Sequence, residues 1–168
     1  MMWRWHQLEQ WLDNPKLGAE VGVKEGRCLS HLLRAFPGLS MYAVDPWESQ
    51  AGGAEDYSEW DFDKIYQEYT SNTQGVRARV IELRKYSTEA AECVADASLD
   101  FVFIDAQHDY ESVKTDIQAW APKVRPGGLI SGHDYDPDPV RNYGVIEAVT
   151  EIFDEVTTGA NFTWCKRI

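Results

Sequence analysis

The sequence predicts an α/β fold: an open, mostly parallel, doubly wound sheet with helices on both faces. Three observations carry that prediction. Short apolar runs alternate with helix-period segments along nearly the whole chain. Two of the runs, L-D-F-V-F-I at 99–104 and L-I-S-G at 129–132, are almost continuously apolar, as in strands covered on both faces. Strand tips also carry polar groups: Asp45, Asp105 and the pair His133-Asp134. In such a sheet the C-terminal strand ends border the ligand crevice, so these residues are expected to converge on one edge.

The elements follow in order. Trp5, Leu8 and Leu12, with Trp11 beside them, recur at helical spacing and predict a short amphipathic helix over about residues 3–12, ended by Asn14-Pro15. The first strand covers 17–21. After Gly26, the set Cys28, Leu29, Leu32, Leu33 and Phe36 marks a helix facing the sheet, stopped by Pro37-Gly38. A second strand runs over 41–45. Residues 46–59 are acidic, hold Gly52-Gly53 and lack periodicity, which predicts a loop. Asp61 reads as the N-cap of a helix with Phe62, Ile65, Tyr66 and Tyr69 on one face. Val76, Ala78 and Val80 alternate as a third strand, and Ser87 or Thr88 is expected to cap the next helix, with Glu89 set against its dipole.

The fourth strand, 99–104, ends at Asp105. A helix with Tyr110, Val113, Ile117 and Trp120 on one side follows, and R-P-G-G turns sharply into the fifth strand. Val145, Val149, Ile152, Phe153 and Val156 predict a last long helix, and 162–166 a terminal strand. The organisation is one domain over 1–168, with 1–15 as an N-terminal helix and 46–75 as an insertion. A chain of this length buries about 70% of its unfolded surface around a single core.

The chain of 168 residues has a formal charge of −12 and no basic stripe, which argues against nucleic acid as a partner. Its acidity favours cationic ligands and divalent metals, although most of that charge serves solvation. Three scattered cysteines, Cys28, Cys93 and Cys165, sit in apolar settings without zinc spacing, as expected of buried thiols in a reducing compartment. No run approaches the ~20 apolar residues of a membrane span, and the N-terminus lacks a signal-peptide pattern. The expectation is a cytoplasmic protein without a membrane partner.

Residues 19–26 read A-E-V-G-V-K-E-G, and M-Y-A-V-D follows at 41–45. A strand entering a glycine turn, then a second strand tipped by one carboxylate, is how an α/β sheet holds a nucleoside. Gly22 and Gly26 permit a close ligand approach, and Asp45 is placed for ribose hydroxyls. Val23 and Lys24 occupy positions where a dinucleotide fingerprint needs glycine-like turns, so a pyrophosphate is disfavoured. A nicotinamide oxidoreductase is correspondingly a poor reading.

The run I-D-A-Q-H-D-Y at 104–110 and P-G-G-L-I-S-G-H-D at 126–134 add two further motifs. Together with A-E-V-G-V-K-E-G and V-D-P-W, in this order and spacing, they resemble the small bacterial and phage branch of class I S-adenosylmethionine-dependent methyltransferases. That branch is related to metal-dependent sugar O-methyltransferases. The resemblance implies a Rossmann-like, seven-stranded sheet whose C-terminal strand is antiparallel, N-F-T-W-C-K at 161–166 supplying the reversed hairpin.

The resemblance also implies site roles. S-adenosylmethionine would lie against the turn from Glu20 to Gly26, with Gly22 and Gly26 admitting its methionine and ribose and Glu20 orienting them. Asp45 would accept both ribose hydroxyls, Ser87 would contact the adenine, and Asp105 would face the reacting end. Methyl transfer is an in-line displacement on an activated carbon, so the protein mainly aligns and deprotonates the acceptor. Two compatible routes present themselves. One is a divalent metal (Mg²⁺, Mn²⁺, Fe²⁺ or Zn²⁺) on Asp105, His133 and Asp134, the histidine departing from the all-oxygen set of catechol-type enzymes. The other is His108 as general base.

Each residue has a plain structural alternative. His108 could cap the helix near Tyr110, His133 fasten the following loop, Asp105 cap its strand, Asp45 form a turn before Pro46, and Glu20 accept backbone amides. Lys24 and Lys114 read as surface residues, and Trp47 is the tryptophan expected near the ligand. Acceptor choice is expected in the N-terminal helix, the 46–75 insertion and Y-D-P-D-P-V-R-N-Y at 135–143, which carries Arg141. Such a lining suits a small hydroxylated or saccharide acceptor, and a homo-oligomer is left open as a way to complete the site. The alternative is a non-catalytic cofactor-binding scaffold of the same fold, against which Asp105, His108, His133 and Asp134 all argue.

Overall fold

The computed structural model describes residues 2–48, 57, 59–138 and 144–168. In chain order the elements are α1 (Arg4–Trp11), β1 (Leu17–Val21), α2 (Arg27–Ala35), β2 (Ser40–Val44), α3 (Phe62–Thr73), β3 (Val80–Leu83), α4 (Ser87–Ala91), β4 (Leu99–Ile104), α5 (Tyr110–Trp120), β5 (Val124–Gly132), α6 (Val145–Ile152), β6 (Thr157–Thr158) and β7 (Trp164–Arg167). The strands form one seven-stranded sheet in the order β3-β2-β1-β4-β5-β7-β6. The four pairs from β3 to β5 are parallel, and β7 is antiparallel to both β5 and β6. The order reverses between β1 and β4, which is where an open α/β sheet leaves its crevice.

Strand alternation sorts the core into two layers. Ala19, Val21, Val102 and Ile104 face one side, where Val113, Ile117 and Trp120 of α5 and Val145, Ala148 and Val149 of α6 cover them. Met41, Ala43, Phe101 and Phe103 face the other, under Leu8 of α1 and Leu29, Leu32 and Leu33 of α2. Gly18 is required there, because a Cβ would overlap the Phe101 ring. The polar interruption of β4, Asp100, accepts the Lys16 and Leu17 N–H groups at 2.6 and 2.9 Å and the Arg125 Nε–H at 2.8 Å. It thereby ties the entry of β1 to its neighbour. Burial opposes ionisation of Asp100, but those two amides and the guanidinium outweigh it and hold its pKa low.

Several expected boundaries shift. The third strand lies at 80–83, not 76–80, because residues 74–79 form a 3₁₀ helix. Arg79 explains the detour: its guanidinium donates to the carbonyls of Leu33, Phe36 and Leu39 at the end of α2, filling acceptors a helix end leaves open. Neither Ser87 nor Thr88 caps α4. Tyr86 is the N-cap and Ser87 already helical. R-P-G-G lies inside β5, where the register against β4 slips between Leu99 and Phe101, rather than in a turn before it. The last helix stops at Ile152, leaving Val156 outside it, and Phe162 takes a φ of 55° before β7 begins. Cys28 and Cys165 are buried, but Cys93, in the turn after α4, is exposed. Among the described residues, no helix is long and apolar enough to cross a membrane.

Candidate functional site

The parallel ladder continues one step past each central strand and so fixes the site. Gly22 N–H donates to Val44 O at 2.9 Å, Asp45 N–H to Leu83 O at 3.3 Å, Asp105 N–H to Val21 O at 2.8 Å and His133 N–H to Ile104 O at 3.2 Å. Four residues distant in sequence therefore stand at one level along the sheet edge. They share one cavity of about 610 Å³, within the range of small-molecule sites. Gly22 has φ +88°, and a Cβ on it would overlap the Asp105 carbonyl, so only glycine lets these two strand ends close up.

Asp45 anchors the β2 end. Its carboxylate accepts the Lys24 N–H at 2.8 Å on one oxygen and the Trp47 N–H at 2.7 Å on the other. The second bond is the turn expected before Pro46, and the first clamps the β1 turn. Each oxygen keeps lone-pair capacity for a ligand. Burial raises the Asp45 pKa, against the downward pull of those amides. Trp47 is buried at the cavity wall, its Nε1–H donating to Lys24 O at 2.9 Å and its ring packed on Tyr66 and Tyr69. Lys24 is half exposed, with Nζ 4.1 Å from the Trp60 ring centroid. Of the 46–75 insertion, Tyr57, Trp60, Phe62 and Ile65 line this β2 end. Residues 49–56 and 58, and Arg141 with the rest of 139–143, lie outside the described residues.

Glu20 and Gly26 sit behind this wall and do not line the cavity. A Cβ on Gly26 would lie 2.8 Å from the Tyr69 ring, so the glycine admits a protein side chain there. Glu20 faces α1 and α2 and is 1% exposed; its Oε2 has no hydrogen-bond partner. Burial pushes its pKa up to about 8, with Arg4, the Cys28 thiol and the Leu29 amide pulling the other way.

At the opposite end stands a cluster of acids and imidazoles. Asp134 Oδ2 is 2.9 Å from both His108 Nε2 and His133 Nδ1, while Asp105 Oδ1 lies 3.8 and 3.5 Å from the same two nitrogens. Burial opposes charge on Asp134, but its two imidazole bonds hold the carboxyl far below its usual range. Burial likewise works against a charged His133, yet the Asp134 bond and the Asp105 charge raise its pKa. Asp109, not His108, caps α5, accepting the Ser112 N–H at 3.1 Å. His133 spends Nδ1 on Asp134 and Nε2 on Asn161 Oδ1 at 3.3 Å, which fastens the loop before β7. Asp105, His108 and Asp134 each offer a donor atom, and these atoms lie within 4.8 Å of one another. His133 of the expected trio stands beside this group in contact with Asp134 and Asn161. Two carboxylate oxygens and one imidazole nitrogen fit Mn²⁺, Fe²⁺ or Zn²⁺ at least as well as Mg²⁺.

Two lining residues escaped the sequence reading. Arg4 of α1 places Nε 3.1 Å from Asp105 Oδ2, and the Asp105 charge offsets burial and raises its pKa. Asp116 of α5 is 6% exposed and lines the cavity beside Ser87. Both carried a signal: each is a charged residue on the inward stripe of an amphipathic helix, Arg4 with Leu8 and Asp116 between Val113 and Trp120. Ser87 itself accepts the Trp120 Nε1–H at 3.0 Å and bonds the Asp116 carboxyl.

A family model described as "Methyltransferase domain" matches residues 19–135. The uncharacterized protein y4gI of Sinorhizobium fredii (strain NBRC 101917 / NGR234) is 33% identical over 148 residues. That match takes 85% of this chain and 15% of y4gI, so the chain spans a small part of that relative's length. Among solved structures, the cofactor-bound Rv0187 from MTB is similar at TM-score 0.67 and 18% identity, covering 92% of this chain and 73% of that one. The O-methyltransferase TomG from Streptomyces achromogenes, involved in tomaymycin synthesis and solved with SAM, matches at TM-score 0.67 and 16% identity, over 97% of this chain and 77% of its own. A caffeoyl-CoA O-methyltransferase candidate from Staphylococcus aureus matches at TM-score 0.71 and 16% identity, over 98% and 83%. At these identities the likeness to solved structures is one of fold.

Proposed function

The chain belongs to the methyltransferase-domain family, and on that premise we propose that it moves a methyl group from S-adenosylmethionine to a hydroxyl oxygen of a small or saccharide acceptor. The observation that carries this reading is the alignment of Gly22, Asp45, Asp105 and His133 at one level of one cavity. Their spread suits an elongated nucleoside with a cationic end. Asp45, with both oxygens oriented by backbone amides, accepts the two ribose hydroxyls as charge-assisted bonds. Gly22 presents bare backbone to the sugar and methionine. The carboxylates of Asp105 and Asp134 favour a sulfonium electrostatically, and Arg4 is the cation available to the ligand's carboxylate.

A divalent ion held by Asp105, His108 and Asp134 would lower the pKa of the acceptor hydroxyl and orient it. The chain's own groups serve the same end. His108, whose Nε2–H faces the Asp134 carboxylate at 2.9 Å, would take the acceptor's proton at Nδ1, and Asp134 stabilises the imidazolium that results. His133 holds Asp134 in place through Nδ1 while Asn161 fixes its other nitrogen.

Calorimetric titration tests the reading. S-adenosylhomocysteine is expected to bind, NAD is not, and Asp45→Ala is expected to weaken the former about tenfold to hundredfold, the value of a lost bond to a charged group. Binding of NAD instead, or unchanged affinity in Asp45→Ala, contradicts it. For the acceptor, a screen of hydroxylated metabolites with mass-spectrometric product detection is run with and without chelator. Loss of turnover in chelator supports the Asp105-His108-Asp134 ion, whereas full turnover leaves the His108–Asp134 pair as the base.

A further inference from the structure

Ser87 stands where the cofactor's base is expected, but its one donor is already committed. The hydroxyl accepts the Trp120 Nε1–H at 3.0 Å and gives its single proton to Asp116. A hydroxyl has one proton to donate, so Ser87 has none left for a ligand. The Asp116 carboxyl does reach the cavity, together with Ser112 and Thr115 on the same face of α5. It is nevertheless 6% exposed, and a carboxylate that deep is retained only against a cost. Beside it on α5, Val113, Ile117 and Trp120 fill the stripe toward the sheet, and Asp116 stands next to that stripe on the cavity side.

We propose that Asp116 is the specificity-determining residue for the nucleobase, accepting a hydrogen bond from the exocyclic amine of adenine and rejecting bases that carry a carbonyl there. The inference rests on the S-adenosylmethionine reading given above. The chemistry is one of sign. An ionised carboxylate is acceptor-only, so it satisfies an amine and repels a carbonyl oxygen, leaving two buried acceptors facing each other. The relay behind it fixes which oxygen is left over: Trp120 orients Ser87, Ser87 occupies one carboxylate lone pair, and the remaining capacity faces the cavity. Burial pushes the Asp116 pKa up to about 6, with Ser87 pulling it back, so the group is ionised at neutral pH.

The test titrates S-adenosylhomocysteine and S-inosylhomocysteine into the intact chain and into Asp116→Asn, near neutral pH. The wild type is expected to prefer the adenosyl compound by at least about tenfold. Asparagine keeps the shape but offers both an N–H donor and an oxygen acceptor, so the preference is expected to shrink to about threefold or less. It does so largely through a gain in inosyl binding. Wild type that binds both compounds equally overturns the proposal whatever the variant does. So does a folded Asp116→Asn that keeps the wild-type ratio. Failure of the wild type to bind S-adenosylhomocysteine at all is a different result: it removes the cofactor reading and this inference with it.

Discussion

The two ends of the cavity are built on opposite plans. At the Asp105 end, acidic and basic side chains face each other across short distances: Arg4 on Asp105, and His108 and His133 on Asp134. At the Asp116 end, a line of hydrogen bonds from Trp120 through Ser87 dilutes a single carboxylate whose burial raises its pKa. The first end stands on strand tips, the second on helix faces. On the proposed reading, the first end meets the cationic part of the ligand and the acceptor's proton, and the second supplies a fixed acceptor for the base.

The largest break in this comparison comes from Gly22, where the β1 turn meets the Asp105 carbonyl. Gly22→Ala is expected to cost about 2–4 kcal/mol in urea denaturation, from the left-handed φ and the overlap of the new Cβ with backbone. The strand-tip end would lose its level with the rest of the cavity. A cost below about 1 kcal/mol would mean that the close approach is not needed.

A smaller effect sharpens the other end. The Asp116 carboxyl has a folded pKa raised from 3.8 to about 6, so the folded state binds its proton more tightly than the unfolded chain does. Stability from this group is therefore fully present below about pH 4, is lost as pH climbs through about 6, and stays lost above. Asp116→Asn removes that dependence. Relative to wild type, the variant is expected to gain about 1–3 kcal/mol on going from about pH 4 to about pH 7.5, read from denaturation curves at both pH values. A gap that does not change with pH would show that Asp116 is not a buried, ionising group.

Much of the strand-tip end was legible in the sequence. A parallel ladder leaves little freedom: once β1, β2, β4 and β5 are recognised as neighbouring strands, Gly22, Asp45, Asp105 and His133 have to stand side by side. Apolar runs with one polar residue at the end give that away. The helix-borne end was less legible, because Arg4 and Asp116 acquire their meaning from what α1 and α5 pack against. The contact of His133 with Asn161, twenty-eight positions away in sequence, was also closed to spacing alone. The misplaced third strand has a similar origin: three alternating residues are too few to tell a strand from the 3₁₀ turn that Arg79 holds against α2.

The proposed reading places a sulfonium nucleoside along one cleft, opened by the reversal of strand order between β1 and β4. A crystal structure of the chain with S-adenosylhomocysteine tests it most directly. The ribose is expected on Asp45, the base against the Ser87–Asp116 wall and the sulfur toward Asp105. A ligand seated elsewhere, or reversed with its base among Asp105, His108 and Asp134, would contradict it.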